Sequence, residues 1–243
     1  MRSPFWWMLA ILIAVTGYQL WCVHDYRAAI REAEEAGFIW RSDETFDLIR
    51  QDWRAAFRKE TWAPHKRFLV IGDSSLEAKI VLDLDPYRDL IHRLRPTELV
   101  IYRCKNVDAL KGLNSLQCLC IYYCHTLQNL DALKGLTRLQ TLELYYCYPL
   151  QNVDALKSLT GLQELFLGPR PTVQNLNALK GHRSLKKIDI FYCPTLEKVD
   201  VLKGLTGLQE IHFATHPYIT KESMDELRAL LPNTTIAADV FRD

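Results

Sequence analysis

The 243-residue sequence has no excess charge of either sign, with 30 lysines and arginines against 29 aspartates and glutamates. Nucleic-acid-binding domains concentrate basic residues on one face, and this composition gives no sign of such a partner. Glycine and proline are scarce, ten each, which excludes a collagen-like or linker-like chain. The seven cysteines fall short of the density of a small disulfide scaffold, and their number is odd. There is no GxxxxGK[ST] phosphate loop, no HExxH and no GxSxG. Apolar residues make up 49% and charged residues 24%, ordinary globular values that argue against intrinsic disorder.

One stretch lacks charge altogether. Ser3 to Val23 reads SPFWWMLAILIAVTGYQLWCV. About 20 apolar residues at ~1.5 Å rise span the ~30 Å hydrocarbon core of a bilayer. Trp6 and Trp7 stand at one end and Tyr18 and Trp21 at the other, matching the two interfacial belts. Residues 1–24 are therefore expected to form an uncleaved single-pass transmembrane anchor. Cleavage as a secretory leader is the alternative; the large Trp21 before Cys22 disfavours it, since cleavage sites carry small residues. Arg2 flanks the short side, Arg27 and Arg31 the long side. The short charged tail is expected to stay cytoplasmic, which places the repeat domain outside.

The dominant signal is a repeat. Asp108, Asp131, Asp154, Asn177 and Asp200 are spaced by 23 residues, as are Lys111, Lys134, Lys157, Lys180 and Lys203. Units begin at Glu98, Cys118, Thr141, Glu164 and Lys187, the first being three residues short, and a divergent sixth begins at Glu210. Alternate strand residues share a face, so Leu119 and Ile121 point inward while Cys118, Cys120 and Tyr122 point outward. Leu127, Leu130, Leu133, Leu136 and Leu139 recur at every third position, which suits a loose 3₁₀-like return. One unit offers too few apolar residues to offset the ordering of its own backbone, so stability must come from stacked neighbours.

Most units open with LxxLxLxxC, as in Leu116, Leu119, Ile121 and Cys124. This resembles the leucine-rich repeat, with cysteine where the family carries asparagine or cysteine. The tail from Ile219 resembles the closing repeats of bacterial leucine-rich-repeat proteins. The resemblance implies an α/β solenoid with a curved parallel sheet and a 3₁₀ or helical convex side. Five domains follow: residues 1–24 as anchor, 25–67 as helical stalk and cap, 68–97 as an irregular first repeat, 98–209 as five repeats, and 210–243 as last repeat and C-terminal cap. Within the cap, Ser42 is expected to start a helix whose apolar face carries Phe46, Ile49, Trp53 and Phe57. A second helix is expected from Asp85 to about Leu94.

Signs of chemistry are sparse. Gly72-Asp73-Ser74-Ser75-Leu76 resembles the first block of GDSL-type esterases, which implies Ser74 as nucleophile. That family also carries Gly-x-Asn-Asp, absent here, and Asp-x-x-His near its C-terminus. Asp89-Leu90-Ile91-His92 has the latter spacing but falls in the cap helix. A turn and a surface helix explain the same residues, so no catalytic residue, cofactor or enzymatic activity is expected. Cys104, Cys124, Cys147 and Cys193 share one repeat position and should form a buried ladder, whose stacked members could reach disulfide distance. Cys118 and Cys120 have no histidine at ligand spacing, so no metal site is expected. The repeating aspartates are expected to cap the return segments, with the lysines as a solvated row.

The outward strand positions carry the best functional lead. Tyr102, Tyr122, Tyr145 and Phe191 fall in one column, interrupted by Gly168, and the next residue of each unit gives Arg103, Tyr123, Tyr146 and Tyr192. Glu143, Asp189 and His212 share a further column. An apolar patch of this kind marks a binding surface when exposed, and tyrosine is enriched in interface hot spots. A non-enzymatic protein-interaction module displayed at a membrane is the leading expectation. Glycan or envelope-polymer binding and a purely structural scaffold, with the rings stacked on each other, are the alternatives.

Overall fold

The computed structural model describes residues 28, 31–32, 35, 39–41, 68–71, 81–168, 171–193, 200–214 and 221–238. The anchor segment 3–23, the apolar helical face from Phe46 to Phe57 and the Gly72–Leu76 motif lie outside these residues. Among the described residues no helix is long and apolar enough to cross a membrane.

Among the described residues nine strands form one sheet in chain order: β1 (Ile39–Arg41), β2 (Phe68–Ile71), β3 (Glu98–Tyr102), β4 (Cys118–Tyr122), β5 (Thr141–Tyr145), β6 (Glu164–Leu167), β7 (Lys187–Phe191), β8 (Glu210–Ala214) and β9 (Thr235–Ala238). β1 pairs antiparallel with β2, a strand the sequence pattern did not indicate; every later pair is parallel. The register follows the repeat: Leu99, Leu119, Leu142 and Leu165 stand side by side, as do Ile101, Ile121, Leu144 and Leu167. These leucines and isoleucines are fully buried, as are Leu133, Leu139, Leu156 and Leu179 of the return segments.

The returns are short 3₁₀ turns beginning at Asp108, Asp131, Asp154, Asn177 and Asp200. The aspartates do not cap them. At the first four starts the backbone N–H instead donates to an asparagine two residues earlier: Asp108 to Asn106, Asp131 to Asn129, Asp154 to Asn152 and Asn177 to Asn175, at 2.7–3.0 Å. This is the asparagine turn, in which a side-chain oxygen replaces a backbone acceptor. The aspartate carboxylates are left for lysine one turn on, as in Asp131–Lys134 at 2.9 Å and Asp200–Lys203 at 2.7 Å.

Two helices pack against the repeats. Asp85–Tyr87 and α1 (Arg88–Leu94) begin at a proline, and Leu90, Ile91 and Leu94 seal the first repeats. α2 (Lys221–Leu230) lays Met224 and Leu227 over the last repeats, and β9 follows.

Candidate binding surface

The outward strand positions form an ordered row of rings. In-register parallel strands lie ~4.8 Å apart, close to the separation of offset-stacked rings. Tyr102 stacks on Tyr122 at 5.2 Å, Tyr122 on Tyr145 at 4.6 Å, Tyr145 on Phe166 at 4.3 Å and Phe166 on Phe191 at 5.4 Å, with planes within 26° of parallel. His212 ends the row edge-on to Phe191 at 5.5 Å. The row thus runs across β3 to β8.

Phe166 is a member that sequence reasoning missed. It belongs to the column of Glu143 and Asp189, two positions before Gly168. Gly168 has φ +142°, and a Cβ there would lie 2.2 Å from the Phe191 carbonyl oxygen. The chain passes too close to β7 for any side chain at that point, so the ring comes from the adjacent column. The available signal was the missing ring at Gly168 beside the only aromatic of the carboxylate column.

The row is not uniformly exposed, which corrects the expectation of an open aromatic patch. Tyr102 and Tyr122 are 5% and 3% exposed and Cys120 is 1% exposed; with Val100 they form a second apolar cluster on the sheet's concave side. Pointing outward from a strand is therefore not exposure here: Tyr102 and Tyr122 pack with Val100 and Cys120, and Cys118, Tyr123 and Tyr145 lie against them. Tyr145, Phe166, Phe191, Tyr146, Tyr192, Asp189 and His212 remain half-buried. The accessible part of the ring row lies on β5 to β8, and Tyr123 just beyond β4 is half-buried as well.

A second row stands just beyond the strand ends. Arg103, Tyr123, Tyr146 and Tyr192 have φ of 55°, 58°, 55° and 37°. Left-handed backbone disfavours side chains other than glycine, asparagine and aspartate. These residues are held there in part by forward hydrogen bonds: the N–H of Arg103 donates to Tyr122 O, that of Tyr123 to Tyr145 O and that of Tyr192 to Ala214 O, at 2.8–3.0 Å. Their rings also associate. The Arg103 guanidinium lies 5.7 Å above Tyr123, Tyr123 stacks on Tyr146 at 4.9 Å, and His125 stacks on Tyr148 at 5.0 Å.

The polar members are unevenly placed. Glu143 is 8% exposed and receives the Tyr122 hydroxyl at 3.5 Å. Burial lifts its carboxyl to about 7; bonds from Cys120, Tyr145 and Tyr122 oppose the rise, and the nearby Glu164 charge adds to it. Burial likewise raises the Tyr122 and Tyr145 hydroxyls and pushes Tyr102 up to about 12, so the ring row stays neutral. Asp189 is raised by burial and held back by Lys187 at 3.2 Å, which also reaches Glu210 at 3.5 Å. The other Asp189 oxygen, Oδ1, is buried with no hydrogen-bond partner among the described residues.

Elsewhere the remaining candidates are structural in placement. His92 donates through Nε2 to Ala109 O at 3.0 Å, joining α1 to the first return segment. Cys118 and Cys120 bring their sulfurs to 4.0 Å on one face of β4. Cys104, Cys124, Cys147 and Cys193 are all buried, as the ladder requires.

The nine-stranded sheet and its ladder of 3₁₀ returns also match solved structures. An internalin, InlF, of Listeria monocytogenes superposes with a TM-score of 0.52 at 20% identity over 70% of this chain. Internalin C2 of the same organism gives 0.52 at 21% over 67% of this chain and 71% of its own. The chain has the leucine-rich-repeat fold. It covers 47% of the InlF structure, about half of its length. No protein-family model and no curated protein sequence matches it.

Proposed function

We propose that this leucine-rich-repeat chain is a non-enzymatic interaction module that binds a protein partner through the concave sheet, on β5 to β8. The observation that carries this reading is the continuous ring row from Tyr102 to Phe191, buried at its start and half-buried from Tyr145 onward. Fixed rings lose little side-chain freedom on binding, which favours affinity. The mechanism is rigid presentation. The buried rings stiffen the sheet, and Tyr145, Phe166, Phe191, Tyr146 and Tyr192 supply contact area, while Asp189 and His212 add polar selectivity.

The ring packing favours protein over glycan. Sugar rings bind to open aromatic faces, whereas here neighbouring rings occupy those faces along the row. Ring edges and hydroxyls point toward a partner instead. Display at a membrane through residues 3–23 completes the proposal and rests on the apolar run, and the extracytoplasmic side rests on the short charged tail at Arg2.

The test is in-membrane crosslinking with mass spectrometry, comparing the native chain with a Phe191→Ala/Tyr192→Asn variant. Asparagine tolerates the left-handed backbone at position 192, so the fold should survive, and circular dichroism checks that it does. Loss of specific crosslinked proteins in the variant supports the reading. Unchanged crosslinks with a native spectrum refute this face as the binding site.

A further inference from the structure

The cysteine ladder differs along its length. Cys147 directs its thiol to Ile121 O at 3.9 Å and Tyr145 O at 3.5 Å; Cys193 does the same with Leu167 O at 3.8 Å and Phe191 O at 3.5 Å. These are the weak contacts of a small buried hydrophobe. Cys124 makes the same kind of contact with Tyr122 O at 3.5 Å, but it also meets Cys104. Their sulfurs lie 2.8 Å apart, and the Cys104 backbone N–H donates to the Cys124 sulfur at 3.0 Å. Non-bonded carbon atoms rest at ~3.5–4.0 Å, and sulfur is larger, so two separate thiols are crowded at this spacing.

The backbone suits a bond. The paired strands end at Tyr102 and Tyr122, and Cys104 and Cys124 each stand two residues beyond that pair. Strand spacing of ~4.8 Å falls within the ~4.4–6.8 Å Cα separation that a disulfide spans. The spacing of 20 residues between the two cysteines reflects the shortened first unit; Cys124 and Cys147 are 23 apart.

We propose that Cys104 and Cys124 form a disulfide that ties the first, shortened repeat to the second when the domain folds under oxidising conditions. The oxidant is a small-molecule disulfide of the oxidised-glutathione class. One protein thiolate attacks it, forming a mixed disulfide and expelling one small thiolate. The second protein thiolate attacks the protein-side sulfur, closes the Cys104–Cys124 bond and expels the other. Two protein thiols are oxidised, one small disulfide is reduced to two thiols, and the protein's two thiol protons end on those products. Both sulfurs are fully buried in the folded chain, so exchange takes place before the repeats close over them. In the reduced folded chain burial raises the Cys124 thiol, which disfavours the thiolate that exchange needs.

The full chain is refolded from denaturant in a glutathione buffer containing the oxidised form, and separately with reductant alone. Both samples are then denatured, alkylated and digested for peptide mapping. The expected result is joint loss of alkylation at Cys104 and Cys124 in the oxidised sample, with one cross-linked peptide that reductant splits. Cys147 and Cys193 stay alkylated. Cys124→Ser restores alkylation of Cys104, while Cys147→Ser leaves the pair intact. Full alkylation of both cysteines, or a dominant bond to any other cysteine, overturns the proposal. So does an oxidised chain lacking the circular dichroism spectrum of the reduced one, because the bond would then belong to a misfolded state.

Discussion

The ring of Phe166 lies 4.3 Å from the ring of Tyr145 and continues the row past Gly168, where no side chain fits. The two residues come from different columns of the sheet. The row is therefore continuous in space although it is broken in the sequence.

Both halves of that arrangement can be tested. Gly168→Ala places a methyl group against the Phe191 backbone in a conformation that favours glycine, and should cost at least about 1–3 kcal/mol. Phe166→Ala removes two stacked contacts, to Tyr145 and Phe191, worth about 0.5–1.5 kcal/mol each. Urea unfolding measures both. A Gly168→Ala protein as stable as the native one would mean that β6 and β7 separate without penalty at this point.

Glu143 should make stability depend on pH. Its folded value of about 7 lies above the ordinary 4.5. The folded state therefore binds more protons than the unfolded state between these values, and stability falls as pH rises. The contribution is fully present below about 4.5 and is lost as pH passes through about 7. The shift corresponds to about 3 kcal/mol. Glu143→Gln should flatten this segment of the stability profile and raise the melting temperature more at pH 8 than at pH 5. An equal change at both pH values would show that Glu143 ionises in the fold without penalty.

His182 occupies a position that Leu113, Leu136, Leu159 and Leu205 hold in other repeats, all buried. Its Nε2 donates to Leu156 O at 2.9 Å, and its Nδ1 has no partner among the described residues. Leu156 O also accepts the Leu159 N–H at 2.9 Å, so it stays satisfied without the histidine. His182→Leu should therefore stabilise the domain by about 1–3 kcal/mol, the cost of a buried unpartnered polar group. Thermal unfolding that shows a loss instead would mean that the His182–Leu156 bond outweighs the unpartnered nitrogen.

The period of 23 residues and its inward leucines were legible because each repeat must bury the same face against the same neighbour. That requirement writes itself into the chain as spacing. The cap helix at Asp85–Leu94 was legible for a similar local reason, a proline at its start and apolar residues on one face. The turn caps were misassigned: asparagine and aspartate stand two residues apart, and only the backbone path shows whose oxygen meets the N–H. β1 was missed because its three residues carry no distinctive pattern and are held by pairing with β2.

What the sequence determined by itself is the repeat, the parallel sheet and the columns of side chains, all consequences of periodicity. The tertiary structure alone decided which outward residues remain reachable. Tyr122 and Phe191 read alike in the sequence, yet Tyr122 is 3% exposed and Phe191 half-buried. The strand pattern fixes only the side of the sheet a residue faces. Burial depends on what the neighbouring strands place beside it, and the close approach of β6 to β7 at Gly168 decides which ring fills the row.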